Sequence, residues 1–246
     1  QHEGVRGRHG GLVQGRRHAV SDAEFSRDEI ETAWRAIVAA ADAGSRDKGG
    51  RDSARAARRL RRRGLPLLGL QDNCIYRIPR AVPHALPHAH PTDRKIQNGD
   101  LVLVDMGAML HGYASDMTRM AFSGKPDKKM QWLYNAVLEA QLAGVAAVKA
   151  GVAAGKVDAA AREVLQRHEL DRAFVHSTGH GLGLEIHEGP RVAKKQTTKL
   201  EEGMVITIEP GAYIEGLGGV RIEDTVLVTR QGCEVLTPTS KELVLL

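Results

Sequence analysis

Cysteine and long apolar runs are both scarce in this sequence, and each scarcity narrows the kind of protein it can encode. Its two cysteines, Cys74 and Cys233, fit neither a zinc motif nor a disulfide framework, which favours a reducing compartment. No apolar run approaches the ~20 residues that cross a bilayer. The N-terminal stretch has no charged-then-apolar signal pattern. We therefore expect a soluble cytoplasmic protein with no membrane partner.

Positive charge is unevenly distributed along the chain. The net charge is +5, and the excess of lysine and arginine lies in the N-terminal part, above all in "RDSARAARRLRRRG" at 51–64. Such a run could bind nucleic acid or could be the solvated face of a helix. Aromatic residues make up only 4% of the chain and none lies among these arginines, so base stacking is not supported. We favour a solvated face, packed through Ala54, Ala57 and Leu60, and expect no nucleic-acid partner.

The N-terminal part otherwise predicts little regular structure. Residues 1–20 are rich in glycine and arginine without periodicity, which indicates a mobile tail. A helical pattern follows at 27–43, where Ser26 and Glu29 are spaced as a capping box. The basic run then predicts a second helix that ends at Gly64.

The character of the sequence changes at residue 101, where strand patterns begin. A strand pair, two helices and a second group of strands follow in that order, which predicts an α+β fold with a mainly antiparallel sheet. The predicted strands are "DLVLVDMG", "YASDMTRMAF", "GMVITIEPGAYI" and "GVRIEDTVLVT", and the predicted helices span 126–151 and 156–170.

Four acidic residues fall inside these strand patterns, where charge is normally excluded. They are Asp105, Asp116, Glu209 and Glu223. Buried carboxylates need partners or they become protonated. The two arginines nearby in sequence cannot balance four acids, whereas two divalent ions can, and carboxylates can bridge metals about 3.5–4 Å apart.

A histidine would complete such a site, and "HSTGHGLGLEIHEG" at 176–189 offers three of them. His180 in "TGHGLG" is the candidate ligand, because imidazole is the commonest metal ligand in proteins. The glycines around it are expected to let the backbone pass close to the metals.

The order Asp, Asp, His, Glu, Glu, with each acidic pair in its own hairpin, resembles that of the pita-bread metallopeptidases. This family includes methionine aminopeptidases, Xaa-Pro aminopeptidases and prolidases. "VDMGAMLHGYASDMTR", "HSTGHGLGLEIHEGP" and "ITIEPGAYIEGLGGVRIEDT" carry the resemblance, which extends over roughly 84–237. It implies a curved, mainly antiparallel sheet covered by helices. Residues 21–246 would form the catalytic domain, with 21–83 divergent from the family and its separate N-terminal domain absent.

The resemblance also implies a role for each ligand of a two-metal centre. Asp105 would chelate one metal, Asp116 and Glu223 would bridge both, and His180 and Glu209 would complete the second. This set is rich in oxygen and favours Mn²⁺, with Co²⁺, Fe²⁺ and Zn²⁺ as alternatives.

Further residues are assigned to substrate and proton transfer by the same resemblance. His88 would face the substrate amide, His176 would line the substrate pocket, and His187 would bind substrate and act as a donor or proton carrier. Glu209 would also move a proton to the leaving nitrogen. Arg221 would hold the metal ligands from behind.

The implied activity is hydrolysis of the bond after an N-terminal residue when proline follows. His176 and "LEIHE" are similar to the Xaa-Pro branch, whereas methionine aminopeptidases more often carry phenylalanine at the position of Ile186. The expected enzyme is an Xaa-Pro aminopeptidase or dipeptidase acting on peptides or dipeptides. The alternatives are a methionine aminopeptidase, a creatinase-type amidinohydrolase and a non-catalytic pita-bread binding module, although the last two generally lose ligands that this chain retains. A homodimer remains open.

Overall fold

The computed structural model describes residues 75–78, 96–107, 109–110 and 113–246. The expectations for the tail at 1–20, for the helices at 27–43 and 51–64, and for His88 lie outside the described residues.

Strands before and after a pair of helices make up the described part of the chain, in the order predicted from sequence. In chain order the elements are β1 (Ile75–Ile78), β2 (Leu101–Met106), β3 (Met109–Leu110), β4 (Tyr113–Ala114), β5 (Met117–Phe122), α1 (Lys128–Ala147), α2 (Ala154–Arg167), β6 (Gly179–Gly181), β7 (Glu188–Val192), β8 (Val205–Ile208), β9 (Gly211–Ile214), β10 (Gly218–Arg221), β11 (Asp224–Val228), β12 (Cys233–Val235) and β13 (Val244–Leu245).

The first sheet has the strand order β1, β2, β5, β13. Strands β2 and β5 are antiparallel, with a register that runs from Leu101 opposite Phe122 to Met106 opposite Met117. The predicted strand at 113–122 is shorter than expected, because its first residues form β4 and pair with β3 instead. The β2–β5 pair is buried along most of its length and provides a rigid base for the acids at its end.

The second sheet has the order β12, β11, β8, β6, β7, and β9 and β10 form a separate hairpin. Each of the two long strands predicted here is interrupted. The stretch 203–214 divides into β8 and β9 at Glu209 and Pro210, and 219–229 divides into β10 and β11 at Ile222 and Glu223. Pro210 has no N–H for a ladder hydrogen bond. Its carbonyl instead accepts from the Ile222 N–H at 3.5 Å, so the two interruptions lie against each other.

Helix α1 begins just after Pro126, near the predicted start, and ends earlier than predicted, at Ala147. Asp127 caps it by accepting a hydrogen bond from the Met130 N–H at 2.8 Å. Its buried side packs against α2 and the sheets. Gly144 permits close contact with the second sheet, because a Cβ there would lie 2.8 Å from Cγ2 of Ile208. The helix therefore supports β8 directly before Glu209.

Among the described residues, the strand pairs are antiparallel except for β13 with β5, as predicted for an α+β fold with a mainly antiparallel sheet. None of the helices in this part of the chain is long and apolar enough to cross a membrane.

Candidate metal centre

The four acids lie at strand ends or interruptions more often than inside strands. Asp105 is within β2, but Asp116 precedes β5, Glu209 follows β8, and Glu223 separates β10 from β11. The prediction that all four lie inside strands was therefore wrong for three of them. A residue outside the ladder is free of the strict alternation of strand side chains. Side chains from different sheets can thus be directed to one place.

Three candidate ligands already have the spacing of a metal site. One ligand atom each from Asp116, His180 and Glu223 lies within 4.8 Å of the others. Nε2 of His180 is 3.8 Å from Oδ2 of Asp116 and 3.3 Å from Oε1 of Glu209. The opposite ring nitrogen, Nδ1, is 2.9 Å from the Gly181 carbonyl, to which it can donate. That bond leaves Nε2 with a free lone pair directed at the acids.

Burial and mutual repulsion make this cluster costly for charged carboxylates. Burial raises the pKa of Asp116 well above its usual range, and the neighbouring Asp105 and Glu209 raise it further. The pKa of Glu223 is likewise raised by burial, then by Asp116 and Glu209. Burial raises the pKa of Glu209 to about 7, although Arg221 opposes the shift. A divalent cation would remove the repulsion and restore the ionised form.

Glu223 supplies the most direct evidence that the cluster fits a cation. Its Oε2 accepts a hydrogen bond of 2.6 Å from Oγ1 of Thr118. Its Oε1 is buried and has no hydrogen-bond partner within the described part of the chain. A buried carboxylate oxygen without a donor is expensive unless an ion binds it. Together with the imidazole and the second carboxylate, this oxygen forms a donor set suited to a divalent metal.

Arg221 connects the remaining acid to the cluster. Its guanidinium is buried, and one terminal nitrogen donates to Oδ2 of Asp105. Its Nε donates to Oγ1 of Thr118 at 3.2 Å and lies 3.9 Å from Oε2 of Glu209. The other arginine considered in the charge argument, Arg119, pairs with Asp224 rather than with these acids. Of the two arginines considered from the sequence, only Arg221 is therefore placed to balance the charge of the four acids.

The glycines beside His180 allow close contact between neighbouring strands. A Cβ on Gly179 would lie 1.8 Å from the Thr207 carbonyl oxygen, and one on Gly181 would lie 2.1 Å from the Gly189 carbonyl oxygen. The expectation that these glycines admit the backbone to the metals is therefore corrected. They allow β6 to press against its neighbouring strands, which brings His180 next to Glu209.

The other two histidines of the segment lie in different surroundings. The ring of His187 is exposed, and its centroid is 4.5 Å from that of His180. His176 is half-buried, with Nδ1 2.8 Å from the Ser177 carbonyl and Nε2 3.0 Å from the Tyr213 hydroxyl. His187 is thus open to a ligand in solvent, whereas His176 is held in a fixed orientation by its neighbours.

Threonines that the sequence reasoning missed hold the ligands in place. Oγ1 of Thr207 accepts from the His180 N–H at 3.1 Å and donates to Oε1 of Glu209 at 3.2 Å. Oγ1 of Thr118 likewise accepts from Nε of Arg221 and donates to Oε2 of Glu223. A buried threonine in a strand is also the residue that strand propensity favours, so the sequence carries no separate signal for this role.

Comparison with known proteins gives a family match over most of the chain. The profile described as "Metallopeptidase family M24" matches residues 29–230. An Xaa-Pro dipeptidase of Pyrococcus furiosus is 51% identical over 152 residues, which is 62% of this chain and 44% of that protein. The matched part therefore spans less than half the length of this relative.

Solved structures give the same fold. The Xaa-Pro dipeptidase from Bacillus anthracis has a TM-score of 0.79 and 38% identity, over 89% of this chain and 60% of that one. The X-Pro aminopeptidase from Thermotoga maritima has a TM-score of 0.78 and 33% identity, over 89% of this chain and 62% of that one. These likenesses confirm the pita-bread fold. The dipeptidase structure and the aminopeptidase structure thus have nearly equal TM-scores with this chain.

Proposed function

The chain belongs to metallopeptidase family M24, and from this premise we propose that it is a metal-dependent peptidase that cleaves the bond after an N-terminal residue when proline follows. The observation that carries the proposal is the largely buried group of Asp116, His180, Glu209 and Glu223, in a fold similar to that of Xaa-Pro enzymes. Peptides or dipeptides are its substrates.

Two divalent ions fit the residues present. Asp105 would hold one ion, Asp116 and Glu223 would bridge the pair, and His180 and Glu209 would hold the other. Oε1 of Glu223 has no hydrogen-bond partner among the described residues, and Nε2 of His180 faces Glu209 and Asp116; both observations support this assignment. The hard oxygen donors favour Mn²⁺. When bound, such ions supply Lewis acidity to the scissile carbonyl and acidify the attacking water.

The remaining steps belong to side chains of this chain. His187, exposed beside His180, would donate to the oxyanion that develops on the scissile carbonyl. Glu209 would carry the proton from water to the leaving nitrogen. With proline after the scissile bond that nitrogen is tertiary in the substrate and has no N–H to offer. Recognition then depends on pocket shape, and His176, held by Tyr213, would form part of its wall.

Metal content tests the centre itself. Protein reconstituted with Mn²⁺ should bind about two ions per chain, because four carboxylates and one imidazole match a dinuclear site. We would measure bound manganese by elemental analysis after gel filtration, with circular dichroism as a check on folding. Folded protein that binds no manganese would contradict both the metal centre and the enzymatic proposal.

Substrate preference tests the reaction. The manganese-loaded protein should hydrolyse Ala-Pro or Ala-Pro-Ala faster than Met-Ala-Ser, because the wall formed by His176 suits a proline ring. Comparing Ala-Pro with Ala-Pro-Ala separates dipeptidase from aminopeptidase action. Faster cleavage of Met-Ala-Ser would assign the chain to the methionine aminopeptidase branch. Metal binding without cleavage of any of the three peptides would support the non-catalytic alternative.

A further inference from the structure

A second buried arginine lies directly behind the candidate ligand Glu223. Arg119, in β5, is only 1% exposed. One terminal nitrogen donates to the Glu223 carbonyl and, at 3.0 Å, to the Thr118 carbonyl. The other forms a salt bridge of 2.7 Å with Oδ1 of Asp224, the residue after Glu223. The guanidinium therefore contacts the interruption between β10 and β11 through the Glu223 carbonyl and the Asp224 side chain.

The same guanidinium also binds the C-terminal segment, 237–241. Nε donates to the Ser240 carbonyl at 3.2 Å, and a terminal nitrogen donates to the carbonyls of Thr237 and Thr239 at 2.9 and 2.8 Å. Arginine is the side chain whose five donors are set in one rigid plane, so lysine could not make all these bonds at once.

Asp224 compensates the buried charge of Arg119 and takes part in a wider network of hydrogen bonds. Besides Arg119, it accepts hydrogen bonds from Nε2 of Gln141 at 2.9 Å and Oγ1 of Thr237 at 3.2 Å. Lys241 forms a further salt bridge with it. A buried ion pair tolerates desolvation when its remaining hydrogen-bonding groups are also satisfied.

Glu223 is consequently held at both of its ends. Its backbone N–H donates to the Thr118 carbonyl at 3.2 Å and its carbonyl accepts from Arg119. Its carboxylate accepts from the Thr118 hydroxyl. Because Glu223 lies outside the strand ladder, its carbonyl would otherwise lack a backbone donor from the sheet. Arg119 supplies that donor and also fixes the Thr118 carbonyl.

We propose that Arg119 is a positioning residue of the metal centre: it donates to the backbone carbonyl of Glu223 and thereby holds the Glu223 carboxylate in the geometry that binds metal. The inference rests on the proposed metal centre and extends it to a residue that is not itself a metal ligand.

The test compares Arg119→Lys with Tyr134→Phe. The first substitution keeps a positive charge opposite Asp224 but removes the planar set of donors. Tyr134 donates to the Lys241 carbonyl at 2.6 Å, so its loss loosens the same C-terminal segment without touching Glu223. We would measure the dissociation constant for Mn²⁺ by calorimetry, and the melting temperature of the metal-free protein in parallel.

Arg119→Lys should raise the dissociation constant by about 10–100-fold, as expected when a group that orients a metal ligand is lost. Tyr134→Phe should lower the melting temperature but leave the dissociation constant near that of the wild type. If the Arg119→Lys protein has a lower melting temperature yet binds Mn²⁺ as tightly as the wild type, the role of Arg119 is purely structural and the proposal is wrong. Equal weakening in both variants would also overturn it, because the effect would then come from the segment as a whole.

A second variant covers the case in which Arg119→Lys does not fold. The double substitution Arg119→Met with Asp224→Asn removes both charges of the buried pair, which is often tolerated better than removal of one. It should show the same loss of Mn²⁺ affinity. A wild-type protein that binds no Mn²⁺ would overturn the proposed function as well, whereas affinity lost in neither Arg119 variant would overturn only the role of Arg119.

Discussion

Glu223→Gln should weaken Mn²⁺ binding by at least about 100-fold, which is more than the loss expected when a group that only orients a ligand is disturbed. The same substitution should raise the stability of the metal-free protein to unfolding. The first effect follows because Glu223 is one of the three residues whose ligand atoms lie within 4.8 Å of one another. The second follows because burial and the neighbouring carboxylates raise the pKa of Glu223, so its ionised form destabilises the folded state without metal. Glutamine carries no charge and keeps an oxygen for the Thr118 hydroxyl.

Melting temperatures with and without Mn²⁺ would reveal both effects. For a chain of this size, each kcal/mol of repulsion removed should raise the melting temperature by about 2–4 °C, while the rise produced by Mn²⁺ in the wild type should be lost. Glu202→Gln is the matched control, because Glu202 is half-exposed and pairs only with the exposed Arg230 among the described residues. It should change neither quantity. A Glu223→Gln protein that is less stable without metal, or that still responds fully to Mn²⁺, would contradict this account of the cluster.

His187→Ala should retain its manganese and lose about 10²–10⁴-fold in kcat, the range for loss of a proton carrier or donor. His180→Ala should instead lose manganese, with affinity lower by about 10–100-fold or more. The two rings lie 4.5 Å apart, but their surroundings differ. Nε2 of His180 faces Glu209 and Asp116, whereas His187 is exposed to solvent.

Parallel measurement of metal content and steady-state kinetics separates these roles. His187→Asn provides a further comparison, because its amide can still donate a hydrogen bond but cannot carry a proton at neutral pH. Recovery of much of kcat in His187→Asn would indicate a donor, and a loss as large as in His187→Ala would indicate a proton carrier. Equal loss of manganese from His180→Ala and His187→Ala would show that the ligand has been assigned to the wrong histidine.

Several features of the fold could be predicted from local sequence because local interactions determine them. Strand β2 forms because the apolar side chains of residues 101–104 are buried along the sheet, and it pairs with β5 as expected. Helix α1 begins after Asp127 because the carboxylate accepts a free N–H of the first turn. The acids and His180 also stood out, since charge in an otherwise apolar strand pattern needs an explanation.

Other features could not be predicted from the local pattern alone. Pro210 marks a break after Glu209, but the strand pattern runs through Glu223 without one, although the structure interrupts the sheet at both. The interruptions arise where Pro210 and Ile222 meet from different parts of the chain. Gly179 and Gly181 were expected to bring the backbone close to the metals, whereas they make room for neighbouring strands, and the sequence does not say which backbone approaches.

The sequence by itself determined the family, the fold class and the types of residue that could bind metal, because these depend on residue identity, order and short-range periodicity. Only the tertiary structure decided that Thr118 donates to a carboxylate 105 positions away, and that Arg119 serves Glu223 and the C-terminal segment rather than balancing the acids. Threonine and arginine in a strand have the same local pattern whatever they contact. Their roles depend on which distant segments the fold brings within hydrogen-bonding distance, because most donors and acceptors in a buried site find a partner.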